Sequence, residues 1–146
     1  MKKPAILAML VLLLFSAQAQ QISNSVYTVQ FDKKTGQLSA ATISGEPLFA
    51  GAVSAVLPAG KLYTSDSQNY RYKTTQTNDD KGNPMLVIHG TDKNRKLSFT
   101  QQITLFSNCA AIGFEVIYKN ISAADINIRS LEPLRLMRQN GGALVF

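Results

Sequence analysis

An all-β fold, an antiparallel β-sandwich of short strands, is what this 146-residue sequence predicts. Three observations carry the prediction. Beyond Gln20 apolar and polar side chains alternate with period two through most of the chain; Gly, Pro, Asn and Asp cluster between the alternating runs; and no window of about eleven residues sets apolar positions at helical spacing. Together they imply about eight to ten strands in two sheets, each burying one apolar face against the other.

The chain opens differently. Lys2 and Lys3 precede an apolar run, Ala5 to Phe15, and Ala17-Gln18-Ala19 supplies the small residues that signal peptidase accepts. The run holds about eleven apolar residues, short of the ~18 that a membrane span requires. Residues 1–19 are therefore expected to be a signal peptide cleaved after Ala19, delivering residues 20–146 to the periplasm or the exterior of a bacterial cell. No cysteine follows the cleavage site to carry a lipid. Cys109 is the only cysteine, so no internal disulfide forms and stability must come from a core. The remaining length, about 127 residues, suits one domain.

The strands follow in order. In "VYTVQFD", Tyr27, Val29 and Phe31 share one face; Lys33 to Gly36 turns the chain, and "QLSAATI" returns to a turn at Ser44-Gly45-Glu46-Pro47. "AVSAVLPAG" sets Val53, Ala55 and Leu57 together before Pro58 and Gly60 end it, and "NYRYKTTQT" sets Tyr70 beside Tyr72. "NDDKGNP", from Asn78 to Pro84, is the densest turn sequence in the chain. "MLVIHG" is an apolar strand that ends at His89. The clearest alternation comes next: Leu97, Phe99, Ile103 and Leu105, then Ile112, Phe114, Val116 and Tyr118, with only "SNCA" between them, which implies a hairpin. "NISAAD" connects this hairpin to a further strand, "INIRSL". The chain closes on "GGALVF", where Gly141-Gly142 reads as an internal turn and Ala143 to Phe146 as the start of a strand, so the domain is expected to be incomplete at its C-terminus.

Charge excludes little. Without Lys2 and Lys3, the 15 Lys and Arg become 13 against 9 acidic residues, and the net charge falls from +6 to +4. Only Lys93, Arg95 and Lys96 form a close group of three basic residues, which argues against nucleic acid as a partner, and nothing after signal cleavage suggests a membrane.

Catalytic constellations are scarce. His89 is the one histidine, with no nucleophile-elbow motif to accompany it. Cys109 has no basic neighbour in sequence to activate it. Zinc would need more His and Cys than the chain has, and no cofactor is expected. Asn78, Asp79, Asp80 and Asn83 offer oxygen atoms to calcium but lack the regular spacing of a calcium loop, so a solvated turn is the expectation. Glu115 and Glu132 are the carboxylates nearest to a glycosidase pair, yet an ion pair is the better reading of each, for Glu132 with Arg129 or Arg135. For sugar stacking there is no tryptophan; Tyr63, Tyr70 and Tyr72 remain, and the pair Tyr70 and Tyr72 shares a face that is either a binding platform or part of the core.

The stretches "YTVQFDKKTGQLSAATISGEPL" and "LSFTQQITLFSNCAAIGFEVIYKNISAADINIRSLEPLRL" resemble the amino-terminal β-supersandwich domain of bacterial alpha-galactosidase-like glycoside hydrolases, the melibiase group of family thirty-six, a galactose-mutarotase-like fold. The resemblance spans most of the chain after residue 19. It implies a secreted or periplasmic carbohydrate-processing protein whose catalytic carboxylates would lie on a following barrel for which this chain has no room. No catalytic residue carries over, and the tryptophan that such domains lend to the neighbouring active site has no counterpart here. The expectation is thus a non-catalytic module whose partners are carbohydrate and a missing C-terminal catalytic domain; a free-standing carbohydrate-binding or protein-interaction domain is the alternative.

Overall fold

The computed structural model describes residues 19–56, 62–65, 70–94 and 96–136. Among them are ten strands and no helix: β1 (Ala19–Ser23), β2 (Tyr27–Asp32), β3 (Gln37–Thr42), β4 (Pro47–Val56), β5 (Leu62–Thr64), β6 (Tyr70–Asn78), β7 (Pro84–Asp92), β8 (Leu97–Phe106), β9 (Ala111–Asn120) and β10 (Ser130–Leu136). They form two antiparallel sheets that pack face to face, the predicted sandwich. The first sheet runs β1-β2-β3-β4-β10, with β5 also paired to β4; the second runs β6-β7-β8-β9.

One device closes three of the hairpins. Asp32, Asp79 and Asp92 each stand where a strand ends, and each carboxylate accepts backbone N–H bonds from the turn that follows. Asp32 takes Lys34 N at 2.8 Å and the Thr35 hydroxyl at 2.9 Å; Asp79 takes Lys81 N at 2.9 Å and Asn83 N at 2.8 Å; Asp92 takes Asn94 N at 3.0 Å. Burial alone would raise the Asp32 carboxyl, but the Lys34 and Thr35 donors outweigh it and hold it below the usual carboxylate value. Gly36, at φ 72°, completes the first of these turns in the left-handed conformation that glycine adopts freely.

The core lies between the sheets. Val29, Phe31, Leu38 and Val53 come from the first sheet, and Leu86, Ile88, Phe99, Ile103 and Leu105 from the second. In β8 burial alternates without a break, and the inward position between Phe99 and Ile103 is a glutamine. Gln101 is 2% exposed, and its Nε2 donates to the Pro133 carbonyl at 2.6 Å, tying β8 to β10 across the sandwich.

The last described strand differs from its sequence reading. "INIRSL" was expected to begin a strand at Ile126, but β10 starts at Ser130, and the Asn120 side chain organises the preceding loop by bonding Ser122 and Ala124. Pairing with β4 selects the later segment: Ser130 faces Val56 and Leu136 faces Gly51, with a bulge between Glu132 and Arg135. Pro133 sits in that bulge, where its missing N–H costs no ladder bond. Pro47, read as part of a turn, is the first residue of β4, and β1 and β5 are additional short strands. Pro58, Gly60, Gly141-Gly142 and the run from Ala143 to Phe146 lie outside the described residues.

Candidate functional site

The tyrosine pair lies between the sheets. Register lays Tyr72, Gly90, Phe99 and Tyr118 in one inward row across β6 to β9. A Cβ at Gly90 would overlap the Phe99 ring, so the missing side chain is what seats that ring. Tyr70, 5% exposed, meets Phe99 edge-on at a centroid distance of 5.4 Å and stacks on Tyr72 at 6.3 Å; Tyr72 meets Phe31 edge-on at 5.2 Å and donates its hydroxyl to the Ser65 carbonyl. Burial pushes the Tyr118 hydroxyl far above its usual value, with Tyr70 and Glu132 adding to the effect. Tyr70 is thus part of the core, and Tyr72 is partly buried against it. Tyr63 lies in β5.

The two carboxylates stand on different sheets. Glu132, on β10, pairs with Arg135 at 3.2 Å, which decides between the two arginines considered for it. Glu115 is exposed on the outward face of β9, opposite Gln102. His89 is also outward and exposed, its Nδ1 2.8 Å from the Thr100 hydroxyl. Asp79 directs its carboxylate into its own turn, and the Asn83 side chain, then the Asn83 and Lys81 N–H groups, hold it below the usual carboxylate value. Among the described residues no three His, Cys, Asp or Glu side chains converge as a metal site would require.

A cleft at one end of the sandwich brings together residues that sequence reasoning did not combine. It has a volume of about 440 Å³ and lies between the β6–β7 and β8–β9 turns, lined by Lys81, Asn83, Phe106, Ser107, Asn108, Cys109 and Ala111. Asn83 is its fixed point. Only 5% exposed, its amide donates to Asp79 Oδ2 at 2.8 Å, and its carbonyl oxygen accepts from Ser107 N at 2.9 Å, stitching one turn to the other. Asn24 and Tyr27 anchor the same turn from the first sheet through the Phe106 and Ala110 carbonyls, each at 3.2 Å.

Phe106 is the aromatic wall. Leu105 points inward, so Phe106 points outward, where it lies half-buried over Gly113; a Cβ there would come 2.9 Å from the ring. An aromatic ring beside amide, hydroxyl and ammonium groups is the composition of a small polar-ligand site. The signal was present as two successive apolar residues at the end of β8, the second out of phase with the strand. A second, more polar cleft of about 510 Å³ marks the meeting of β1 with β6, where Gln76 Nε2 donates to the Gln21 carbonyl at 2.9 Å. Comparison with protein-family models, with curated proteins and with solved structures finds no match for this chain.

Proposed function

We propose that the chain is a non-catalytic β-sandwich module of an exported carbohydrate-processing protein, of the kind that precedes the catalytic barrel in alpha-galactosidase-like glycoside hydrolases. The observation that supports this reading best is the Phe106 cleft. A pyranose could lay its C–H face on the ring while Asn108, Ser107 and Lys81 serve its hydroxyls. The two candidate carboxylates, on separate sheets with Glu132 engaged by Arg135, favour binding over hydrolysis.

Titrating the isotope-labelled full chain with galactosides and plant-wall oligosaccharides tests it. A weak site of this size should bind in the millimolar range, about −4 kcal/mol, and shift the amide resonances of Asn83, Ser107 and Asn108. Phe106→Ala should abolish the shifts and leave the fold intact. No response from a well-folded sample at millimolar sugar would sink the carbohydrate reading; hydrolysis of aryl galactosides that responds to Glu115→Gln or Glu132→Gln would sink the non-catalytic one. A protein-interaction role is the second reading. It draws on β10, which among the described strands pairs only with β4 and leaves Leu131 44% exposed, an arrangement open to strand addition.

A further inference from the structure

The outward face of the second sheet gathers charge that is dispersed in the sequence. Register places Arg71, Thr91, Ser98 and Lys119 in one row across β6 to β9, and Lys73, His89, Thr100 and Ile117 in the next. Arg71, Lys73, His89 and Lys119 are all exposed, and so is Lys96 in the β7–β8 turn at the same end of the sheet. Strand spacing sets Arg71 and Lys119 about 14 Å apart along their row, and two residues of rise separate Arg71 from Lys73 by about 7 Å.

Counter-charge is sparse there. Among the described residues, no carboxylate lies within ion-pair distance of Arg71, Lys73, Lys96 or Lys119. Asp92 is buried beneath the patch and bonded into its turn, and Glu115, one row further along, is the one carboxylate at the outward positions of these strands. Like charges separated by about one Debye length repel, and a multivalent anion laid across them relieves that repulsion.

We propose that this face binds an acidic polysaccharide, a glycan bearing repeated carboxylate or sulfate groups. The surface between the cations carries the hydroxyls of Thr91, Ser98 and Thr100, with which sugar hydroxyls exchange hydrogen bonds. The two rows contain no Phe, Tyr or Trp ring on which a nucleic-acid base would stack, and the His89 imidazole is tied through Nδ1 to the Thr100 hydroxyl. Ile117, 56% exposed, and Ile121, 36% exposed beside Lys96, are two separate apolar residues where a membrane-binding face would present a continuous patch. The site is distinct from the Phe106 cleft, which lies at the other end of the same face, about 27 Å away along β8.

The test is binding of the purified full chain to polygalacturonate and to dextran sulfate, each against its uncharged counterpart: methyl-esterified polygalacturonate and plain dextran. At least one acidic polymer should bind, about tenfold or more weaker when NaCl rises from about 50 to about 200 mM, and its neutral counterpart should bind far less. The triple variant Arg71→Gln, Lys73→Gln, Lys119→Gln should lose about tenfold or more in affinity at unchanged thermal stability, and Phe106→Ala should bind as the parent does. The proposal is overturned if neither acidic polymer binds better than its neutral counterpart, if the folded triple variant binds equally well, or if duplex DNA or phosphatidylglycerol vesicles bind more tightly than both acidic polymers. Failure of the Phe106 site alone leaves these outcomes unchanged, so the two proposals are decided separately.

Discussion

Replacing Gln101 by methionine isolates the bond that ties β10 to the opposite sheet. Methionine keeps the length, flexibility and approximate volume of the side chain, so the core stays filled and the change reduces to a lost donor. Gln101 is 2% exposed and donates to the Pro133 carbonyl at 2.6 Å. Leaving an acceptor unpaired costs about 1–3 kcal/mol when water cannot replace the donor. Pro133 is itself an exposed residue, so water reaches its carbonyl in part, and methionine no longer desolvates an amide. Both effects favour the lower end, a loss of about 1–1.5 kcal/mol. For a domain of this length that lowers the melting temperature by roughly 3–7 °C. Thermal denaturation followed by circular dichroism measures the total, and hydrogen exchange locates it: amides of β10 paired with β4 should lose protection before those of β7 and β8. A methionine variant as stable as the parent, with β10 protection unchanged, would refute the view that this glutamine holds the sandwich closed at β10.

Three further outcomes follow from the packing and the turns. Gly90→Ala should destabilise by about 1–3 kcal/mol, because the new methyl overlaps the Phe99 ring and the row from Tyr72 to Tyr118 must shift; chemical denaturation measures it, with Gly82→Ala, which meets no neighbour but has positive φ, as the comparison for backbone strain alone. Asp32 and Asp79 have folded-state values below their ordinary 3.8, so the stability they confer is fully present above 3.8 and disappears as pH falls through the lower folded values; Asp79→Asn should flatten the acid side of a melting-temperature profile. Tyr72→Phe should lower stability by about 1 kcal/mol through loss of the bond to Ser65 and leave any sugar response unchanged, whereas Phe106→Ala should abolish that response.

Period-two alternation made most of the fold legible because a half-buried strand leaves no choice about which side chains face inward. Val29 and Phe31 of β2, and Leu97, Phe99, Ile103 and Leu105 of β8, all lie where alternation puts them. The turns after Asp32 and at Asp79 were equally readable, since an Asp before a short polar stretch ending in Gly makes a turn that caps itself. Legibility failed where pairing overrode local pattern. Ile126 and Ile128 alternate as a strand should, yet β4 takes Ser130–Leu136 instead, and no local property of "SLEPLRL", interrupted by proline, announces that preference. Gln101 was passed over because its polarity contradicts its position; only the facing carbonyl of Pro133 makes a buried amide affordable there.

The candidate sites were hidden for a related reason. Alternation sorts residues into two faces but does not say which strand lies beside which, and a surface site is built from neighbours across strands. Tyr70 and Tyr72 drew attention because they are two residues apart, yet that spacing places both rings in the same inward layer, where the core claims them. Arg71, between them, points the other way, and its neighbours across the sheet are Thr91, Ser98 and Lys119, residues 20, 27 and 48 positions later. Asn83 and Ser107 meet in the same manner, as do Phe106 and Gly113. In a sheet whose inward positions are filled mostly with apolar and aromatic side chains, binding chemistry is left the outward faces, the turns and the edges. Both the Phe106 cleft and the basic rows lie on such surfaces, and both depend on a register that an isolated strand does not contain.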